Sequence, residues 1–108
     1  MFRIVLSAIV AFIPFAALAA DAPEFKLTIH EHRFAPVELV IPANTRIKLV
    51  IDNQDPTAEE FESHELDREK IVTGNASVSV SIGPLKPGRY AYFGDFHQET
   101  AQGVLVVR

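Results

Sequence analysis

The chain has 108 residues, with 14 acidic against 10 basic side chains, a formal charge of −4 at pH 7, no cysteine and one methionine, Met1. A single small domain is the expectation at this length. The acidic balance argues against nucleic acid or an anionic membrane surface as a partner and suits cations or a basic protein face. The missing cysteines exclude thiolate chemistry and disulfides.

Residues 1–20 read as a secretory signal peptide. Arg3 gives a short positive start, Ile4 to Ala16 is apolar apart from Ser7 and Pro14, and Ala17-Leu18-Ala19 has the A-x-A form of a cleavage site. The apolar run is shorter than the roughly 20 residues of a membrane span, and Pro14 interrupts it. The expectation is cleavage near Ala19 or Ala20 and an exported, periplasmic product. The mature domain is then residues 21–108, not membrane-spanning and one charge more acidic through the loss of Arg3. Met1 leaves with the leader, so the product carries no sulfur ligand.

Phe25 to His30 alternates apolar and polar residues, the period of a half-buried strand. Val37 to Ile41 repeats the pattern after Pro36, with Leu39 and Ile41 on one face. Pro42-Ala43-Asn44-Thr45 is a turn, followed by Arg46 to Ile51 with Ile47, Leu49 and Ile51 facing inward. Ser77 to Ile82 alternates most clearly, Pro84 to Gly88 turns, Tyr90 to Phe93 reads as a strand, and Val104 to Val107 closes the domain. Short alternating strands between Pro, Gly and Asn turns predict an all-β Greek-key sandwich of about seven strands.

Between these strands lies an acidic stretch, Pro56 to Lys70, holding Glu59, Glu60, Glu62, Glu65, Glu69, Asp67 and His64. Its local form has two readings. Thr57 with Glu60 fits a capping box, and Asp55-Pro56 fits an alternative helix start. Phe61, Leu66 and Ile71 are spaced for neither a helix face nor a strand face, so a short helix and an extended segment both stand. As a helix, Glu60 and His64 would be i,i+4 neighbours; as a strand, Glu60, Glu62 and His64 would share a face at steps of roughly 6.5–7 Å. A run of glutamates is most often a solvated face, here partly neutralised by Arg68 and Lys70. His30 and His32 read as surface histidines, with a second, weak metal site as the alternative. Phe61 reads as the anchor that buries the stretch, and Tyr90 and Tyr92 as core and corner residues.

Three segments together carry a resemblance. His32-Arg33-Phe34-Ala35-Pro36-Val37-Glu38-Leu39 opens a strand pair, Leu85-Lys86-Pro87-Gly88-Arg89-Tyr90 leads into Phe93-Gly94-Asp95-Phe96-His97, and Gln102-Gly103-Val104-Leu105-Val106-Val107 ends the chain. Their order resembles the cupredoxin family over nearly all of the mature domain. In copper-carrying members the metal is held by a histidine after the third strand and by a Cys-x-x-His pair with a downstream Met. His97 matches the second histidine, Gly94 stands at the cysteine, Glu59 or Glu60 at the first histidine, and Ala101 and Gln102 near the axial position. The resemblance therefore implies no type 1 blue-copper centre, which depends on His₂Cys ligation.

The acidic stretch and the Gly94-Asp95-Phe96-His97 ending also look like the small periplasmic cupredoxin-like component of bacterial ferrous-iron uptake systems built around an iron permease. That resemblance implies capture of Fe²⁺ as a bound substrate, with its oxidation to Fe³⁺ in a ferroxidase-type step or its direct hand-over. The implied partners are the membrane iron permease and another periplasmic iron- or copper-binding protein. Carboxylates and imidazole without sulfur suit iron, manganese, zinc or Cu(II). The favoured ligands are Glu60 and Glu62 with Asp95 and His97, with Glu59 and His64 as outer candidates. Two other functions fit the same residues: a periplasmic Cu(II) carrier without catalysis, and an acidic module that docks a basic partner surface.

Overall fold

The computed structural model describes residues 21–108, and the expected signal peptide lies outside the described residues. Nine strands are present among the described residues: β1 (Glu24–His30), β2 (Arg33–Ala35), β3 (Glu38–Ile41), β4 (Ile47–Asn53), β5 (Glu59–Ser63), β6 (Arg68–Val72), β7 (Ser77–Ile82), β8 (Gly88–Gly94) and β9 (Gln102–Val107). A 3₁₀ turn, Asp95–His97, follows β8. The strands form two sheets, ordered β2-β1-β4-β7 and β3-β9-β8-β5-β6. β1 pairs with β4 and β3 with β9 in parallel; the other pairs are antiparallel.

Alternation seats the sheets on each other. Ile47, Leu49 and Ile51 of β4 are buried while Lys48 is exposed, and the serines of β7 face out where Val80 and Ile82 face in. Leu27, Ile29, Leu49 and Ile51 of one sheet meet Phe61, Val72, Tyr92 and Leu105 of the other in one core. At its centre Phe34 packs edge-on against Tyr92 and Phe61, with ring centroids 5.1 and 6.3 Å apart, the arrangement that aromatic quadrupoles favour. Tyr90 donates its hydroxyl to the Lys86 carbonyl at 2.8 Å, closing the corner before β8. The result is the expected sandwich.

Two expectations change in detail. The strand count exceeds about seven because β2, β5 and β6 add to the segments that alternate visibly. The acidic stretch is a hairpin, β5–β6, and contains no helix. Phe61 is paired on both sides, opposite Lys70 of β6 and Gly94 of β8, and is fully buried. A helix cap contributes about 0.5–2 kcal/mol, less than the burial of one phenylalanine together with two strand pairings.

At the end of β4 the buried Asn53 ties the edge of the core together. Its amide donates to the carbonyls of Thr57, Val72 and Thr73 at 2.9–3.3 Å, and its Oδ1 accepts the Asp55 N–H at 3.0 Å. This fixes the approach to β5 and the position of Asp55.

Candidate metal centre

As a strand, β5 divides its glutamates between two faces. Glu59, Phe61 and Ser63 point inward, and Glu60 and Glu62 point outward. The strand lies beside the end of β8, so the 3₁₀ turn carries Asp95, Phe96 and His97 across it. Two clusters of potential ligands result: His32, Glu59 and His97 on the inner side, and Glu60, Glu62 and Asp95 on the outer side. In each cluster the ligand atoms lie within 4.8 Å of one another.

Glu59 is the centre of the inner cluster and is 1% exposed. Its Oε1 accepts the backbone N–H groups of Glu60 and Phe96 at 2.9 and 2.8 Å. Its Oε2 lies 2.6 Å from Nδ1 of His97. A carboxylate only accepts hydrogen bonds, so Nδ1 of His97 carries the proton and Nε2 is left as the free nitrogen. An ion bonded to both atoms at about 2.0–2.2 Å needs them roughly 3 Å apart. Binding between Glu59 and His97 therefore releases that proton and widens the gap; otherwise the ion takes Nε2 while Glu59 orients the ring.

His32 completes this cluster from the turn between β1 and β2. Its ring stacks on His97 with centroids 3.6 Å apart and planes 12° from parallel. An ion midway between such rings sits roughly 1.8 Å out of each plane, nearly a whole metal–nitrogen bond of about 2.0–2.1 Å. Imidazole lone pairs lie in the ring plane, so one ring turns before both can share an ion. Asp55, also buried, sits behind His32, and burial alone would raise its carboxyl. Backbone N–H groups of His32 and Glu31, together with the charges of His32 and His30, outweigh that and hold it below the usual carboxylate range. An open hollow of about 540 Å³ lies between His32 and the Asp95–Thr100 segment.

On the outer side burial, a hydrogen bond with Glu62 and the charges of Glu69, Glu62 and Asp95 push the Glu60 carboxyl above its ordinary value of 4.5. A raised carboxyl favours the fold below its unfolded pKa and loses that contribution as pH rises through the folded pKa. Metal-free Glu60→Gln protein is therefore expected to melt above wild type at pH 7. The gap closes as pH falls through the raised value toward 4.5, as a series of thermal melts would read. A constant gap across that range contradicts the assignment.

The six candidate ligands thus fall into three places. Glu60, Glu62 and Asp95 come together, Glu59 and His97 come together with His32, and His64 stands apart. His64 follows β5 in the hairpin turn, its ring 5.5 Å from Phe93, beside a separate hollow near Asp67, Arg68 and Glu69. Arg68 donates to the carbonyls of Ser81 and Asp67. His32, read as a surface histidine with a second, weak metal site as the alternative, joins Glu59 and His97, a grouping the sequence reading did not make. Its visible signal was its place in the turn between the first strand and Phe34; the contact with His97 is purely tertiary.

Gly94 makes room for Glu59. A Cβ at that position would lie 2.6 Å from Cδ of Glu59 and 2.7 Å from Cβ of Ala101. Gly94→Ala is expected to cost about 1–3 kcal/mol, the usual penalty of overpacking. In a Glu59→Ala background the same change should cost less, because the clash with the carboxylate is gone while that with Ala101 Cβ remains. Urea denaturation of the four proteins checks this, and equal costs in both backgrounds would contradict it.

Comparison with known proteins gives three kinds of match. A family model described as cupredoxin-like domain matches residues 3–107. Uncharacterized protein RP394 of Rickettsia prowazekii (strain Madrid E) is 54% identical over 84 residues, covering 78% of this chain and 67% of that protein. Among solved structures, auracyanin A, a "blue" copper protein from Chloroflexus aurantiacus, is similar with a TM-score of 0.68 at 15% identity, over 82% of this chain and all of that one. The metal binding domain of the Cu(I) exporting P-type ATPase CopA of Streptococcus pneumoniae D39 has a TM-score of 0.70 at 10% identity, over 79% and 84% of the two chains. Amicyanin from Paracoccus versutus has a TM-score of 0.62 at 18% identity, over 82% and 83%. At these identities the structural matches speak for the fold.

Proposed function

This chain belongs to the cupredoxin-like domain family, and we propose that within it the protein handles iron as cargo in import instead of carrying a resident blue copper. The fit to a type 1 centre fails on chemistry and on space. The chain has no cysteine, and the room at Gly94 where a cysteine side chain would stand is filled by the Glu59 carboxylate. The observation that carries the proposal is this replacement: a buried carboxylate beside an imidazole, with a second imidazole stacked above.

A sulfur-free oxygen and nitrogen set suits hard to borderline ions. Anionic oxygens stabilise Fe³⁺ more than Fe²⁺ because the higher charge interacts more strongly with them. Such a site lowers the iron potential and eases loss of one electron to an external acceptor, Cu²⁺ going to Cu⁺ as Fe²⁺ goes to Fe³⁺. The outer Glu60, Glu62 and Asp95 would serve as an open capture or release site for the same cargo. Export to the periplasm, and hand-over to a membrane iron permease with a second periplasmic metal-binding protein, complete the reading. Among the described residues no helix is long and apolar enough to cross a membrane.

The test is an anaerobic Fe²⁺ titration of the mature protein, followed by Cu²⁺ or dioxygen while ferric product is monitored. The expected result is saturable binding and faster oxidation than in the Glu59→Gln, His97→Ala double variant. Equal rates remove the oxidation step. A second reading, a Cu(II) carrier without catalysis, is favoured by the paired imidazoles beside a carboxylate. It is the outcome if Cu²⁺ binds tightly and Fe²⁺ negligibly. Metals held no better than by a generic acidic protein would leave docking to a basic surface.

A further inference from the structure

Glu31 and His32 form the turn that joins β1 to β2, where His30 pairs with Arg33. Both residues have positive φ, 51° and 57°. A two-residue hairpin turn with positive φ at both positions ordinarily draws Asn-Gly, Asp-Gly or Gly-Gly. Side chains with a Cβ pay about 1–2 kcal/mol each in that region. The compensation is visible. Asp55 Oδ1 accepts the Glu31 N–H at 2.7 Å and Oδ2 accepts the His32 N–H at 2.9 Å. Asp55 is only 7% exposed, so these are desolvated, charge-assisted bonds.

Asp55 is itself held to the core. Its N–H donates to Asn53 Oδ1 at 3.0 Å, and its carbonyl accepts the Asn75 N–H at 2.8 Å. On the other side of the turn Thr100 donates its hydroxyl to the His32 carbonyl at 2.7 Å. The backbone of His32 is thus gripped at its N–H and its carbonyl, while its ring stacks on His97 with Nδ1 3.5 Å from Asp55 Oδ2.

We infer that Asp55 is a positioning residue of the metal centre, acting through His32: its two oxygens hold a turn of unfavourable backbone so that the imidazole lies over His97. This rests on the metal-binding reading of the inner cluster and extends it to a residue that touches no ion. Asp55→Asn keeps the size but turns an amide NH₂ toward one of the two backbone donors, so one bond is lost and two donors face each other.

The test is a Co²⁺ titration, as an air-stable divalent probe, of wild type, Asp55→Asn, His32→Ala and the double variant. Asp55→Asn is expected to weaken binding about tenfold in the wild-type background, the lower range for outer partners of metal ligands. In the His32→Ala background it should leave affinity unchanged. Equal weakening in both backgrounds, or none in the first, overturns the inference. Nuclear Overhauser contacts between the rings of His32 and His97 supply a readout without metal. They should be present in the wild type and lost in Asp55→Asn, and their retention also overturns it. A wild type that binds no Co²⁺ defeats the metal reading, while the ring contacts still decide whether Asp55 positions His32. Thr100→Val, which releases the other side of the turn, is expected to act in the same direction if Asp55→Asn does not fold.

Discussion

Glu59→Ala protein is expected to bind Fe²⁺ or Co²⁺ at least about 100-fold more weakly than wild type, at the upper end of losses for groups that support a metal. It is also expected to lose about 3 kcal/mol of stability. The stability term follows from what the side chain satisfies. Two backbone N–H groups, of Glu60 and Phe96, and Nδ1 of His97 all end on this one carboxylate. An unsatisfied buried donor costs about 1–3 kcal/mol, and the backbone donors cannot move away without disturbing β5 or the 3₁₀ turn. Against a total of about 5–15 kcal/mol for a domain, that is a large fraction. The affinity term follows because His97 loses its orienting partner whether Glu59 is a direct ligand or the group behind the ring. Glu59→Gln separates charge from shape: an amide still accepts at one oxygen but places NH₂ against a donor or loses the anion. Calorimetric titration and urea denaturation read the two terms, and affinity kept within twofold in Glu59→Gln would sink the inner centre.

The fold could be read from the sequence wherever burial is one-sided. Ile47, Leu49 and Ile51, or the serine alternation of β7, state their faces directly because a strand repeats every two residues. β5 states nothing so plain. Its inward positions are Glu59, Phe61 and Ser63, two of them polar, so a buried strand carries the look of a solvated run. The site that uses those polar positions is therefore what hides the strand.

The same logic explains which site residues were visible. Glu60, Glu62, Asp95 and His97 sit in two compact segments, and the family resemblance, more than composition, singles them out. Their division between the two faces of β5 depended on choosing strand over helix, a choice made by pairing with β6 and β8. The place of His32 over His97, and any part for Asp55, were invisible because their meaning is a turn of positive φ braced by a distant carboxylate. Nothing local in Glu31-His32 announces that conformation, since the residues that favour it are absent.

Phe61→Ala is expected to destabilise the domain by about 3–5 kcal/mol, the usual range for emptying a buried aromatic site. The ring is fully buried and touches both Phe34, which bridges from the opposite sheet, and Tyr92 of β8, at centroid distances of 6.3 and 5.2 Å. The collapse needed to refill that space would have to move two sheets, so little of the cavity is recovered. The midpoint of urea unfolding reads the loss. Its consequence for the centre differs from that of Glu59→Ala. Phe61 lies between Glu59 and Ser63 and opposite Gly94, so it seats the strand without offering a ligand. Divalent metal at about 100 times its dissociation constant should return roughly 2.7 kcal/mol by binding the folded form alone. Most of the Phe61→Ala loss is then recovered on adding metal, whereas Glu59→Ala gains nothing from it. If metal fails to rescue Phe61→Ala in its folded temperature range, the ring also sets the geometry of Glu59, and core and centre are a single unit.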